Sequence, residues 1–403
     1  MAVEFRAIGP DEYPDLVRTM GLAFGFDPSE DDHFRHLLPL ERTVVGFDGG
    51  RMVSTAGAFS LDMTIPGGTV KCGGTTIVSV APTHRRQGLL RGMMRSHLNE
   101  VREQAEPIAA LWASDSAIYG RFGFGQAAVH YDVSVRRDHV EFHRSAPQPA
   151  PVRSIDSAEA EKLLAPFYDN IRTSTPGFYA RSPVWWEHRA LADPEQRRNG
   201  ATSYRFGVVD GSDGIAGYVQ YRIKSNWDDS HGAGKVMVKD LFGSTPESWA
   251  GLWSYVLNHD LIAEITADHR SVQDPLFDLL AGTRRAKAQR FDNLWVRLMD
   301  VPRALKARSY SAPIDVVLEV HDPMGDIDGR YHLMASAEGA ECQRTDAEPS
   351  ISLDAEDLGG IYMGRSRLRA LSRVGRVGGD PVSLAAADAA FTWDPQPWCP
   401  EVF

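Results

Sequence analysis

Cysteine is scarce in this chain. Three occur in 403 residues, Cys72, Cys342 and Cys399, far apart and with no CxxC among them. So sparse and odd a count argues against a disulfide framework and points to a reducing, cytoplasmic setting. Metal-ligand spacing is also lacking: the histidines are scattered, with no HExxH and no paired Cys/His pattern, so no metal is expected. No window approaches the roughly eighteen apolar residues of a membrane span. The opening residues, Met1 to Arg6, carry no apolar run of the kind that starts a secretory leader. Positive charge is in deficit, 43 Lys and Arg against 54 Asp and Glu, for a net −11. That balance argues against a nucleic-acid partner and favours cationic ones.

What is present reads as a globular protein, 43% hydrophobic and 24% charged, too long for one ordinary core. The stretch around which the rest is organised is Ile77 to Arg91. Thr75 to Val80 is a β-type run. Pro82 cannot donate to a strand ladder, so the strand should stop there. From Leu89 the apolar positions Leu89, Leu90, Met93, Met94, His97 and Leu98 recur at helical spacing. The turn between carries Arg85, Arg86, Gln87 and Gly88. The first amides of a helix lack intrahelical acceptors and sit at the positive end of its dipole, which makes an anion site suited to a pyrophosphate. Gly88 lets backbone approach a ligand, and Arg85, Arg86 and Arg91 add charge. The turn has neither the GxxxxGK[ST] nor the GxGxxG spacing. On composition alone, an ordinary strand–helix turn with solvated arginines fits as well.

In chain order, Val3 to Ile8 reads as a strand. A helix capped by Asp11 follows, with Tyr13, Leu16, Val17, Met20 and Phe24 inward. Phe26 to Asp32 is strongly acidic, either a solvated loop or a rim that attracts an amine cation. Thr43 to Asp48 and Met52 to Leu61 form a hairpin. After the helix that starts at Leu89, Pro107 precedes a strand, Ile108 to Ala113, and a crossover of that length joins parallel strands. Then comes Ser114-Asp115-Ser116-Ala117-Ile118-Tyr119-Gly120-Arg121-Phe122-Gly123-Phe124-Gly125, read as a tight turn into an aromatic-packed strand. Tyr119 is one of twelve tyrosines, and a tyrosine hydroxyl can protonate a leaving thiolate as general acid. Val129 to Arg136 alternates as a strand. Ser145 to Pro151, three prolines in seven residues, reads as a linker and sets the first boundary at 150. The second segment, 151–295, repeats the order of elements broadly but without the basic turn. Its Arg197-Arg198-Asn199-Gly200 falls between a helix and a strand, the wrong context for a phosphate site. The third, 296–403, has short strands and a helix from Asp354 to Tyr362. The tail Trp393 to Phe403, with two tryptophans, three prolines and a terminal Phe, would rather be buried.

The run Val78-Ser79-Val80 followed by Arg85 to Arg91 resembles the acetyl-CoA signature of the GNAT superfamily of N-acetyltransferases. More narrowly, "VAPTHRRQGLLR" with Leu90 in the last signature place, "ASDSAIYGRFGFG" and "LWVRLMDVPRAL" are similar to the enhanced intracellular survival (Eis) family, over essentially the whole chain. The resemblance implies an α+β protein of two tandem GNAT-like domains, the second degenerate, followed by a sterol-carrier-protein-like domain whose likeness is of fold only. It implies acetyl-CoA as co-substrate, contacted by Val78, Ser79, Val80, Arg86, Gln87, Gly88, Leu89, Leu90 and Arg91, with Ser114 and Asp115 as a second contact. It implies Tyr119 as proton donor and the α-carboxylate of Phe403 as general base. Such a carboxylate has a low intrinsic pKa and serves as base when desolvation raises its basicity, or through a water. Phe24, Asp27 and Glu401 are the expected acceptor contacts, the acceptor a small cationic amine or a lysine side chain, and the assembly a homohexamer. Two other readings fit some of these residues: a non-catalytic acyl-CoA or lipid-binding protein, and an acyltransferase that uses a longer acyl group.

Overall fold

A computed structural model describes residues 3–28, 32–138, 140–229 and 231–403. The chain forms two compact units. One comprises the residues up to Ala128, with Thr173–Ala180 and Asp292–Phe403; the other comprises Val129–Arg172 and Arg181–Phe291.

The first unit holds a seven-stranded sheet. Its strands are β1 (Glu4–Arg6), β2 (Val45–Asp48), β3 (Arg51–Ile65), β4 (Gly68–Val80), β5 (Ile108–Trp112) and β6 (Gly125–Gln126), and Leu294–Leu298 inserts between β5 and β6. Neighbours are antiparallel except β4 and β5, which run parallel from Cys72 opposite Ile108 to Gly74 opposite Ala110. The parallel pair is the one the crossover length predicts. It is joined by helix α2 (Leu89–Glu103), which buries Met93, Met94, His97, Leu98 and Val101, whereas Leu89 and Leu90 of the expected face are half-buried. Helix α1 (Tyr13–Phe24) buries Tyr13, Leu16 and Met20. Asp11 does not cap it. A short 3-10 turn, Pro10–Glu12, intervenes, and the Glu12 carboxylate accepts the Gly9 amide at 3.0 Å. The hairpin of β2 and β3 forms as expected.

The same unit carries a five-stranded sheet from the third region, in the order Gly339–Arg344, Gly329–Ser336, Ile314–His321, Ile351–Asp354, Val377–Gly379. The helix expected there spans Ala355–Tyr362.

The second unit is built on another seven-stranded sheet. Gly234–Gly243 runs parallel to Ile262–Ser271, joined by the helix Pro246–Leu257. This repeats the parallel unit of the first sheet. Two strands lie in the opposite sheet from the one their position suggests. Strand β7 (Val129–Arg136), before the proline-rich stretch, pairs with Ile262–Ser271 in the second unit. Leu294–Leu298, which straddles the expected boundary at 295, pairs with β5 and β6 in the first. The prolines at 147–151 mark a loop, whereas the sheets are sorted by ladder pairing between residues far apart in sequence.

His97 ties α2 to β4. Its Nε2 lies 2.8 Å from Thr75 Oγ1, and the ring is fully buried. Burial, reinforced by the Arg42 cation, pulls His97 from 6.5 down to about 4. A depressed imidazole binds its proton in the unfolded chain before it does so in the folded one. The associated stability is therefore complete above pH 6.5 and is lost as pH falls towards 4. Denaturant midpoints measured from pH 7 to 4.5 should fall for the native chain and fall less steeply for His97→Gln.

Candidate active site

The site begins with an irregularity in β4. Thr55 pairs with Ser79 and Gly57 with Thr76, so two residues of β4, Ile77 and Val78, stand opposite Ala56 alone. This is a β-bulge. Ile77 adopts φ of 51°, a left-handed conformation that a β-branched residue resists. The Thr55 hydroxyl fixes it by donating to the Ile77 carbonyl at 2.6 Å, with Ser79 Oγ 2.7 Å away. Beyond Gly74 and Ala110, β4 and β5 no longer pair among the described residues, although β4 continues to Val80 and β5 to Trp112. The strands part, and the backbone of Val78–Val80 on that side is open to another partner.

The chain then turns through Pro82–His84 into α2. Arg86 has φ of 62° and Gly88, the N-cap, φ of 83°. A Cβ on Gly88 would meet nothing within 4 Å, so the glycine is required by its dihedral and the space over the helix start is open. Arg85, Arg86, Gln87 and Arg91 are exposed. Gln87 Nε2 donates to the Thr83 carbonyl at 3.3 Å and tightens the turn. Open amides at a helix start, flanked by guanidinium groups, suit a pyrophosphate.

Past β5, Ser114 and Asp115 are exposed, and Asp115 accepts the Ala117 amide at 2.9 Å, capping the short helix α3 (Ser116–Tyr119). Tyr119 is 4% exposed and packs edge-on to Phe124 at 6.2 Å. It shares one apolar cluster with Met94, Leu98 and Phe122, against which Val78 and Leu90 also pack. The bulged strand, the helix start and the tyrosine are thereby brought to one place. Burial raises the Tyr119 pKa above the ordinary 10.0, against a hydrogen bond to Ser114 that lowers it, so the hydroxyl is protonated at neutral pH.

The glycines after Tyr119 are close approaches rather than a free turn. A Cβ on Gly123 would run into Arg297 Nη1, one on Gly120 into the Glu356 carboxylate, and one on Gly125 into the Glu356 carbonyl. Arg297, fully buried on Leu294–Leu298, donates to the Phe122 carbonyl at 2.8 Å and to both carboxylate oxygens of Asp322, at 3.1 and 2.8 Å. Burial would raise Asp322, but the guanidinium outweighs it and holds the carboxyl below its usual range.

The tail is buried as expected. Trp398, Glu401 and Phe403 are each under a tenth exposed. Asn293 clasps Cys399 through two backbone bonds, at 2.9 and 3.0 Å. Tyr179 stacks edge-on to the Phe403 ring at 5.6 Å and its hydroxyl donates to Glu401 at 3.3 Å. A Cβ on Gly74 would lie 3.3 Å from Phe403 Cδ2. The last side chain thus lies over β4 where it parts from β5. Residues 177–180 bond to Asp62 and Thr64 of β3 and hold this tail. Sequence reasoning missed Tyr179 and Asn293; the one local signal was Gly177, whose φ of 97° places its backbone against Trp398. Phe24 and Asp27 lie exposed at and beyond the end of α1, and no contact among the described residues joins them to Tyr119. Of the acidic stretch, Ser29, Glu30 and Asp31 fall outside the described residues.

A bulged strand parting from its parallel neighbour, followed by a helix start that is open and flanked by arginines, fits a GNAT acetyltransferase domain, and the comparisons agree. Acetyltransferase (GNAT) domain families match residues 4–127 and 177–298, and a sterol carrier protein domain matches 301–400. An uncharacterized N-acetyltransferase of Streptomyces avermitilis is 36% identical, with all of both chains covered. N-acetyltransferase Eis of Mycobacterium tuberculosis is 32% identical over 95% of each chain. The crystal structure of Eis1 from Mycobacterium abscessus superposes with a TM-score of 0.85 at 29% identity, over the full length of both. The chain belongs to the Eis family of GNAT N-acetyltransferases. It is an acetyl-CoA-dependent N-acetyltransferase built from two GNAT domains and a sterol-carrier-like domain.

Removing the Arg297 cation leaves Asp322 buried without its partner. Arg297→Met should cost about 3–5 kcal/mol of stability. Denaturant unfolding measures it, and a loss under about 1 kcal/mol would show that water reaches the carboxylate.

Proposed function

We propose that this enzyme transfers the acetyl group of acetyl-CoA directly to an amine of a polycationic acceptor, an aminoglycoside, a polyamine or a lysine side chain. The observation that carries the reading is Tyr119, buried and protonated in the same cluster as Val78 and Leu90. Amides of Arg86 to Arg91 and their guanidinium groups cradle the pyrophosphate, with Ser114 and Asp115 as the second contact. Backbone N–H of Val78–Val80 polarises the thioester carbonyl, an oxyanion-type contribution. The α-carboxylate of Phe403 takes the proton of the attacking amine. Tyr119 returns a proton to the CoA sulfur as the tetrahedral intermediate collapses. The net charge of −11 and the carboxylates of Asp27 and Glu401 favour a cationic acceptor, with Phe24 offering an apolar contact. The enzyme works in the cytoplasm, as a homohexamer.

Thiol release from acetyl-CoA with a polyamine or an aminoglycoside tests this. Tyr119→Phe should lower kcat by about 10²–10⁴. Extra residues after Phe403 should abolish turnover; turnover that survives the extension removes the carboxylate from the mechanism and leaves the acetyltransferase standing. Gly88→Ala forces a Cβ into a left-handed conformation at a cost of about 1–2 kcal/mol. It should raise KM for acetyl-CoA roughly ten-fold with kcat little changed.

A further inference from the structure

The second unit contains a group of side chains that the acetyl-transfer chemistry does not use. His130 and Asp132, two apart on β7, project to the same face, the one opposite Tyr131, Val133 and Val135, which contribute to the apolar core. Across the ladder the strand Ile262–Ser271 is bulged. Ala267 pairs with Val133 and Arg270 with Tyr131, so Asp268 and His269 together stand opposite Asp132. The bulge turns His269 to φ of 53°, a conformation that histidine tolerates better than most residues. His269 then meets the other two: its amide donates to Asp132 Oδ1 at 3.0 Å, and its ring lies edge-on to His130 at 4.8 Å. One ligand-type atom from each of His130, Asp132 and His269 lies within 4.8 Å of the others.

We propose that His130, Asp132 and His269 form a binding site for a late first-row divalent cation of the Zn2+ type. Two imidazoles and one carboxylate are the donors that Zn2+, Co2+ and Ni2+ prefer, whereas Mg2+ and Ca2+ require oxygen. Ligand atoms about 2.0–2.1 Å from a tetrahedral ion stand roughly 3.3 Å from one another. His130 Nε2 and Asp132 Oδ1 are already 3.4 Å apart. His269 offers the third donor atom, within 4.8 Å of the other two. Stacking of Phe291 on His130 at 5.7 Å restricts that ring, and the His269 amide orients the carboxylate, support of the kind that ligands receive from their surroundings in built sites. Asp132 is 37% exposed, which provides an entry path and leaves a coordination position for water. The ion would join two strands at the point where their ladder is interrupted. The sequence does not reveal the site, because His269 lies 137 residues from Asp132 and no local spacing marks it.

The test uses the full-length enzyme after chelator treatment. Calorimetric titration with Zn2+ should show saturable binding, and Co2+ should develop visible absorption bands; Mg2+ should do neither. His130→Gln and His269→Gln should each weaken Zn2+ binding by at least about ten-fold. Asp132→Asn keeps an acceptor for the His269 amide and should weaken it similarly. Thiol release from acetyl-CoA by each variant reports that the fold is intact. Absence of saturable Zn2+ binding overturns the proposal. Binding that the three variants leave unchanged overturns it too, and assigns the ion to other groups such as the cysteines.

Discussion

One buried cation holds the catalytic half of this molecule together. Arg297 sits on the strand that closes the first sheet, and its guanidinium reaches the Phe122 carbonyl three residues after Tyr119 and the Asp322 carboxylate in the loop after Ile314–His321. Asp322 in turn accepts the amides of Met324, Asp326 and Ile327. Three parts of the chain therefore converge on one ion pair from which water is excluded. Such a pair contributes little net stability against an apolar substitute, since desolvation offsets its attraction. What it supplies is position: the turn that carries the tyrosine cannot shift without uncovering a charge.

The two GNAT halves show how the same parallel unit leaves its helix start open or closes it. In the first, the helix after the parallel strand starts at Gly88, which has no side chain to offer, and the amides face open space. In the second, the equivalent helix starts at Thr245-Pro246. The Thr245 hydroxyl accepts the Ser248 amide at 3.1 Å, Ser248 Oγ accepts the Thr245 amide at 3.0 Å, and Pro246 has no amide to offer. The helix start is thus already satisfied by its own side chains. A capping box stabilises the helix and removes the donors a phosphate would use.

What the sequence made legible was local. The face of α2, the turn at Gly88 and the parallel crossover all follow from spacing within about thirty residues. The family likeness then singled out Tyr119 and Phe403, which spacing alone could not. What stayed hidden was carried by distant pairs. The exchange of β7 and Leu294–Leu298 between sheets depends on ladder partners more than a hundred residues away. So do the grip of Tyr179 and Asn293 on the tail and the meeting of His130 and Asp132 with His269. Asp11 was a miss of another kind: its position suited a cap, but the 3-10 turn Pro10–Glu12 places Glu12 at the N-cap position of α1.

The late strand has a consequence for how the protein is made. The ribosome releases β1 to β6 early, with every signature residue of the cofactor turn, but β6 has no sheet partner, and β5 none besides β4, until Leu294–Leu298 emerges. The nascent catalytic sheet must wait with an unpaired edge while the whole second unit is synthesised, and unpaired edges are where nascent chains associate wrongly. The second unit, complete by Phe291, is free to fold first. In this chain a strand made late is needed to complete the sheet made first.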